Sequence, residues 1–253
     1  MKIKYCLILS FIITIVFGCK DNSSTVENPP TEDQTYTKSI QKLFADYGAK
    51  NVSSNIDGNF LVIKCDGVPD HKSPYFASND ANFEKYDGNN SLYQRNPNSI
   101  VAQNFTFRIP VNPKEASSKS ATPLGPIGIS INGIPFFNQY AGPNQPLTFE
   151  INSFDQHGGH PQQTGQYHYH LEPFYLTKNK GKEAFLGVLL DGYPVYGPVE
   201  NGKIVTNPDL DAYHGHHSKT VDFPNGIYHY HITEADPYLN GNGFFGIAGT
   251  LSR

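Results

Sequence analysis

The tetrapeptide Tyr-His-Tyr-His occurs twice, at Tyr167–His170 and at Tyr228–His231. In an extended strand alternate side chains leave opposite faces, so His168 and His170 share one face while Tyr167 and Tyr169 take the other. His229 and His231 repeat the arrangement. Two imidazoles at i and i+2 start roughly 7 Å apart at the backbone, within reach of one ion held at about 2 Å by each ring nitrogen. Of the ten histidines, only His71 lies outside these two neighbourhoods; His157, His160, His214, His216 and His217 flank the four strand histidines. Imidazoles gathered in this way can bind a divalent transition metal, serve as general bases, or form two wet polar-aromatic faces with no ligand at all.

Carboxylates sharpen the metal reading. Glu172 follows His170 by two, so a strand continuing through it would aim His168, His170 and Glu172 from one face and leave a position open to water. Thr233 stands at the equivalent place in the second copy. Glu172 is therefore the candidate catalytic carboxylate, with the first half the better catalytic centre. Asp155 and Asp211 precede the Gly-His blocks and are candidates for orienting ligand imidazoles; carboxylates at such positions also serve turns. The metal candidates are His168, His170, His229 and His231, then His160 and His217, then His157, His214 and His71. Imidazole and carboxylate donors suit Zn²⁺, Cu²⁺, Fe²⁺ or Ni²⁺. A mature domain without methionine makes a poor Cu(I) carrier, and Cys65, distant in sequence from the histidines, reads as a small buried apolar residue.

The histidines belong to an internal duplication. Gly128–Phe137 reads against Gly187–Tyr196, Asp155–His160 against Asp211–His217, and Gly165–His170 against Gly226–His231. Two copies are too few for a solenoid. They predict two halves, about 124–176 and 183–249, related by a pseudo-twofold axis. Ligand economy favours one ion shared between the halves by the four strand histidines; His160 and His217 would instead complete a separate site in each.

Together with Asp66-Gly-Val-Pro-Asp-His71, Pro123–Pro135, Gly159-His-Pro161 and Leu190–Gly197, the two Tyr-His-Tyr-His copies resemble the YHYH-domain proteins, over roughly Cys65 to Gly249. The resemblance implies a domain type and brings no established activity. In that pattern a cysteine often precedes the Gly-Gly-His block and another follows the last Pro-Tyr. Here those neighbourhoods read Gln156-His157 and Leu239–Gly243, so a disulfide between them is lacking, and His157 stands in if the cysteine is a ligand.

The N-terminus sets the address. Lys2 and Lys4 precede an apolar run from Tyr5 to Phe17 that ends in Gly18-Cys19. About 13 apolar residues are too few to span a hydrocarbon core that needs about 20. The pattern resembles a bacterial lipoprotein signal over 1–18, which makes Cys19 the expected lipidated residue. Lys20 and Asp21 favour outer-membrane delivery, with the periplasmic or outer face left open. Residues 19–35, rich in Asn, Ser, Thr, Glu and Pro, read as a flexible tether, and 36–253 as the domain.

The elements that must position these groups read as mainly β. The chain has 16 Tyr and 17 Phe with no Trp, together with 23 Gly and 19 Pro, the mixture of strands joined by tight turns. Val101–Ile109 alternates as a strand, and one short helix is expected at about Lys38–Tyr47. Ala116–Ala121 reads as a polar insertion and Thr177–Lys182 as a turn between the halves. The expected fold is a duplicated β-sandwich or barrel-like domain with long loops. A net charge of −4 offers no basic patch for nucleic acid, and no Ser-His-Asp or phosphate-loop signature stands out. Three classes remain: an envelope metalloprotein, enzymatic or ion-binding; an adhesion or glycan-binding lipoprotein; and a structural envelope protein without a small ligand.

Overall fold

The computed structural model describes residues 32–253. The signal segment, Cys19 and most of the tether lie outside the described residues. The fold is mainly β, and no sheet among the described residues closes into a barrel. The helix at the start runs Glu32–Tyr47, several residues longer than expected and beginning inside the segment read as tether. No helix among the described residues is long and apolar enough to cross a membrane.

An eight-stranded sheet carries the duplication. From edge to edge its strands are Gly215–Ser218, Ile227–His231, Pro194–Tyr196, Phe185–Leu189, Pro126–Ser130, Pro135–Phe137, Tyr167–Tyr169 and Gly159–Pro161. Read outward from the centre, both halves place their strands in the same order. At the centre Gly187 pairs with Ser130, Val188 with Ile129 and Leu189 with Gly128, antiparallel. Since Gly128 and Gly187 are equivalent in the repeat, Ile129 and Val188 are copies of each other that lie face to face. The pseudo-twofold axis passes between them. The two Tyr-His-Tyr-His strands consequently sit five strand spacings apart, about 24 Å along the sheet at the usual interstrand distance.

A four-stranded antiparallel sheet, Val52–Asp57, Phe60–Cys65, Phe105–Pro110 and Thr250–Ser252, shares the core. It contributes Leu61, Ile63, Phe105, Phe107 and Ile109 against Ile129, Phe136, Val188 and the strand tyrosines of the larger sheet. Cys65 is buried at the end of one of these strands, and burial pushes its thiol up to about 12, as befits an inert apolar filler.

Three local expectations change. The strand expected at Val101–Ile109 begins only at Phe105, because the Val101 and Gln103 amides are taken by the Gly165 and Asp66 carbonyls. The polar stretch after Lys114 is a strand, Glu115–Ser120, paired with Phe244–Gly246. The turn expected between the halves is a helix, Phe174–Lys180.

Candidate metal centres

Alternation divides the Tyr-His-Tyr-His strands as the period of 2 requires. Tyr167, Tyr169, Tyr228 and Tyr230 are all 1% exposed or less and belong to the core. Their hydroxyls are tied to buried polar partners. Tyr167 donates to both oxygens of Asp155 at 2.9 Å, and Tyr228 to both oxygens of Asp211 at 3.0 and 3.1 Å. Tyr230 donates to Asp191 at 2.6 Å, and at the equivalent place the Asn132 side chain donates to the Tyr169 hydroxyl at 3.3 Å. Burial raises Asp155 and Asp191 to about 6. The tyrosines can lie flat across the neighbouring strand only because Gly159 and Gly215 carry no side chain. A Cβ there would come within 2.5 Å of the Tyr167 ring and of the Tyr228 hydroxyl, respectively.

The histidines converge on the opposite face. In the first half His160, brought opposite His168 by antiparallel pairing, joins His168 and His170. His168 Nε2 lies 3.1 Å from His160 Nε2 and 3.0 Å from His170 Nε2, and Glu150 Oε1 lies 3.0 Å from His160 Nε2. In the second half His216, opposite His229, joins His229 and His231. His229 and His231 Nε2 are 3.0 Å apart, and Glu200 oxygens lie 3.4 Å from His216, 3.3 Å from His229 and 4.0 Å from His231. Each set of three imidazoles and a carboxylate has its donor atoms within 4.8 Å of one another. Four donors at about 2.05 Å around a tetrahedral ion stand about 3.3 Å apart, close to these separations.

The outer ring nitrogens fix the tautomers. Nδ1 of His168 and of His229 each faces the carbonyl two residues back, Gln166 at 3.1 Å and Ile227 at 3.0 Å. Nδ1 of His170 meets the Asn138 carbonyl at 2.5 Å, and Nδ1 of His231 meets Gly197, the equivalent residue, at 2.8 Å. A carbonyl only accepts, so each neutral ring carries its proton on Nδ1 and turns a bare Nε2 lone pair inward. Lone pairs 3.0 Å apart repel unless a cation lies among them. His216 Nε2 is likewise buried, with no hydrogen-bond partner despite the Glu200 oxygen at 3.4 Å. A proton is a poor substitute for a metal here: burial, then the neighbouring histidines, holds His168 well below the ordinary range. Burial leads again in bringing His170 and His231 down to about 4. For Glu150 and Glu200 burial pushes upward, but hydrogen bonds from His160 and Ser218, respectively, and the facing histidines leave both carboxylates below their ordinary value.

The other candidates lie elsewhere. Glu172 accepts from Thr177 at 2.5 Å within the Phe174–Lys180 region, because the strand stops at Tyr169 and Pro173 opens a helix. Asp155 and Asp211 bind tyrosine hydroxyls and turn amides on the far face, so neither orients an imidazole. His217 is opposite Tyr228, on the tyrosine side, and its neighbour His216 takes the position expected of it. His71 Nε2 meets the Tyr169 hydroxyl at 3.0 Å and its ring packs 4.2 Å from that of His157. His214 contacts the Thr233 hydroxyl at 2.9 Å from a left-handed backbone (φ 77°), where the first half has Gly158 (φ 84°). The four strand histidines do not meet across the pseudo-twofold axis; each pair has its own cluster.

Sequence reading missed His216, Glu150 and Glu200. His216 was legible, since Gly159-His160 and Gly215-His216 are the same dipeptide of the repeat. The carboxylates were not, because they are not copies. Glu150 opens the short 3₁₀ turn Glu150–Ser153, whereas Glu200 lies in the hairpin Val199–Glu200/Lys203–Ile204. The hairpin equivalent in the first half, Tyr140–Ala141/Gln145–Pro146, carries Ala141 at the place of Glu200.

No curated protein and no solved structure matches the chain. A family described as YHYH protein matches residues 106–205 and again 199–243, spanning both clusters and both tyrosine-histidine strands, and the chain belongs to the YHYH protein family.

Proposed function

We propose that this protein binds two divalent transition-metal ions, one in each half, in the bacterial cell envelope. The ligands are His160, His168, His170 and Glu150 in the first centre and His216, His229, His231 and Glu200 in the second. The observation that carries this reading is the convergence of three imidazole Nε2 atoms on a carboxylate in each half, with His168, His170, His229 and His231 each oriented by a backbone carbonyl behind the ring. An all-nitrogen-and-oxygen set without thiolate suits Zn²⁺, Cu²⁺ or Fe²⁺. A membrane attachment through lipidated Cys19 is part of the proposal, supported by the charged, apolar and Gly-Cys pattern of the N-terminal segment. Elemental analysis of the purified chain tests the metal reading: two equivalents are expected, and none after loading with each of these ions would refute it.

A second reading, a glycan-binding envelope protein, has one observation in its favour. A cleft of about 460 Å³ on the tyrosine side of the second half is lined by Tyr36, Tyr193, Phe223 and Tyr228, with His217 beside them. Tyr36 and His217 are the accessible rings of this cleft, and an accessible ring can pack against the apolar face of a sugar. Retention on immobilised cell-wall glycans, abolished by Tyr36→Ala, would favour it.

A further inference from the structure

The two centres are copies in their imidazoles and differ in what covers them. Over the first, the Phe137 ring stacks on His168 at 3.8 Å and 22°, and the Phe154 ring stacks on His170 at 5.5 Å and 6° while meeting His160 edge-on at 4.7 Å. The His160 side chain is 3% exposed. In the second half Phe137 is replaced by Tyr196, whose ring stands edge-on to His229 at 73°. Its hydroxyl is drawn away to Thr220 at 2.9 Å and Asp222 at 2.8 Å. Phe154, the residue before Asp155, is replaced by Leu210 before Asp211. The His216 side chain is 25% exposed. A cavity of about 370 Å³ opens over this centre, with His229, His231 and Glu200 in its wall and Lys219, Thr220 and Glu183 around it.

The charges around that cavity select a ligand. A divalent ion held by three neutral imidazoles and one carboxylate keeps a net charge of +1. Lys219 adds a second positive charge and makes no ion pair among the described residues. Glu183 has one oxygen occupied by the Gly202 amide at 2.6 Å. Glu183 in the wall and Asp222 behind Tyr196 offset these charges overall, so the attraction is local: a small anion lying between the ion and the Lys219 ammonium touches both positive groups.

We infer that the metal held by His216, His229, His231 and Glu200 keeps an exchangeable coordination position that takes a small carboxylate from this cavity, with Lys219 as counter-charge, while the first centre is closed and structural. This rests on the two-centre reading above and adds the division of labour between the centres. Both centres offer four protein donors, so an exchangeable position requires expansion to a fifth ligand; the aromatic rings over the first centre leave no room for one, and the cavity against the second does. Ligand exchange at the open position moves no electrons: a bound water leaves, and a carboxylate oxygen takes its place.

Cobalt(II) reports on this directly, through its visible absorption. The full chain is loaded with Co²⁺, its metal content measured, and acetate titrated as the probe. Two equivalents of cobalt with a saturable spectral change in only one of them is the expected result. That change should persist in Phe137→Tyr, which leaves the ligands of both centres in place. It should weaken by about tenfold in affinity in Lys219→Ala, the usual worth of a charged hydrogen-bond partner, and this exposed-loop change leaves the cobalt content at two. Two bound equivalents with no acetate response, or a response unchanged in Lys219→Ala, would overturn the inference while leaving the two-centre reading intact. Failure to bind cobalt at all would remove both.

Discussion

Ile129 and Val188 lie directly opposite each other in the middle of the eight-stranded sheet, and they are the same position of the repeated sequence. An antiparallel pair of equivalent strands can only be related by a twofold axis between them. That single pairing decides the arrangement of the histidines. Each strand order unrolls outward from the centre, so the two Tyr-His-Tyr-His strands end near opposite edges, and ligand economy across the axis is geometrically unavailable. Each half instead recruits a third imidazole from its own edge strand.

That edge strand gives the sharpest test at single-residue level. His216 and His217 are neighbours, yet period 2 sends His216 towards His229 and His217 towards Tyr228. His216→Ala should reduce the bound metal from two equivalents to about one, whereas His217→Ala should retain both. Equal losses in the two variants would mean that the register differs from the one described.

Glu150 and Glu200 should act independently although their histidines are copies. Glu200→Gln keeps the shape and removes the charge. It should weaken metal retention at the second centre by at least tenfold, the scale on which even outer partners of a metal ligand are felt, and leave the first unchanged. Glu150→Gln should do the reverse. Competition with a chelator, followed by metal analysis, measures both.

The tyrosine face should govern stability and not metal content. Tyr230 donates to Asp191, which also takes the Gly246 amide at 2.8 Å, and the Tyr230 hydroxyl accepts from the Phe245 amide at 2.8 Å. Tyr230→Phe strips a fully buried carboxylate of one partner and should cost about 2 kcal/mol. Denaturant unfolding of the metal-free protein reads this, and two equivalents of metal should still bind. A variant as stable as the parent would show that the hydroxyl network is dispensable.

Metal-free protein should lose stability in acid. Burial is the leading cause that holds His71 at about 3 and His170, His214 and His231 at about 4, and it lowers His168 and His229 as well. The unfolded chain binds protons near 6.5, so the stability from neutral histidines is fully present above about 6.5 and lost as pH falls towards 4. A single histidine lowered to about 4 contributes about 3 kcal/mol. Asp155 and Asp191, raised to about 6, act in the opposite sense and gain as pH falls through 6. Six histidines outweigh two aspartates, and the unfolding midpoint in the presence of chelator should fall from pH 7.5 to 4.5. A flat or rising midpoint would mean that these rings are not buried as neutral bases.

Cys19→Ala should leave the protein unprocessed or release it from membranes, because the proposed anchor is the lipid on that thiol. Fractionation identical to the parent would remove the envelope-anchor proposal without touching the metal centres.

The split of His and Tyr between two faces was legible in the sequence, because strand alternation depends only on the backbone. The duplication was legible too; that Gly159 and Gly215 admit the tyrosine rings was not, because it depends on how the edge strands pair. Non-local choices were not. Glu172 looked like a ligand only if the strand ran on past His170, and Pro173 starts a helix instead. The carboxylates that meet the histidines arrive from a 3₁₀ turn in one half and a hairpin in the other, and Ala141 in place of a Glu200 equivalent erases any repeat signal. Asp155 and Asp211, read as orienting imidazoles or serving turns, accept from turn amides and from tyrosine hydroxyls.

The central claim is that each half holds its own ion, and metal content of three variants tests it most directly. The parent should hold two equivalents, His168→Ala/His170→Ala one, His229→Ala/His231→Ala one, and the fourfold variant close to none. Losses at the two centres should add, as they do for sites that share no ligand. A parent that holds a single equivalent, lost completely in either double variant, would contradict the two-centre account.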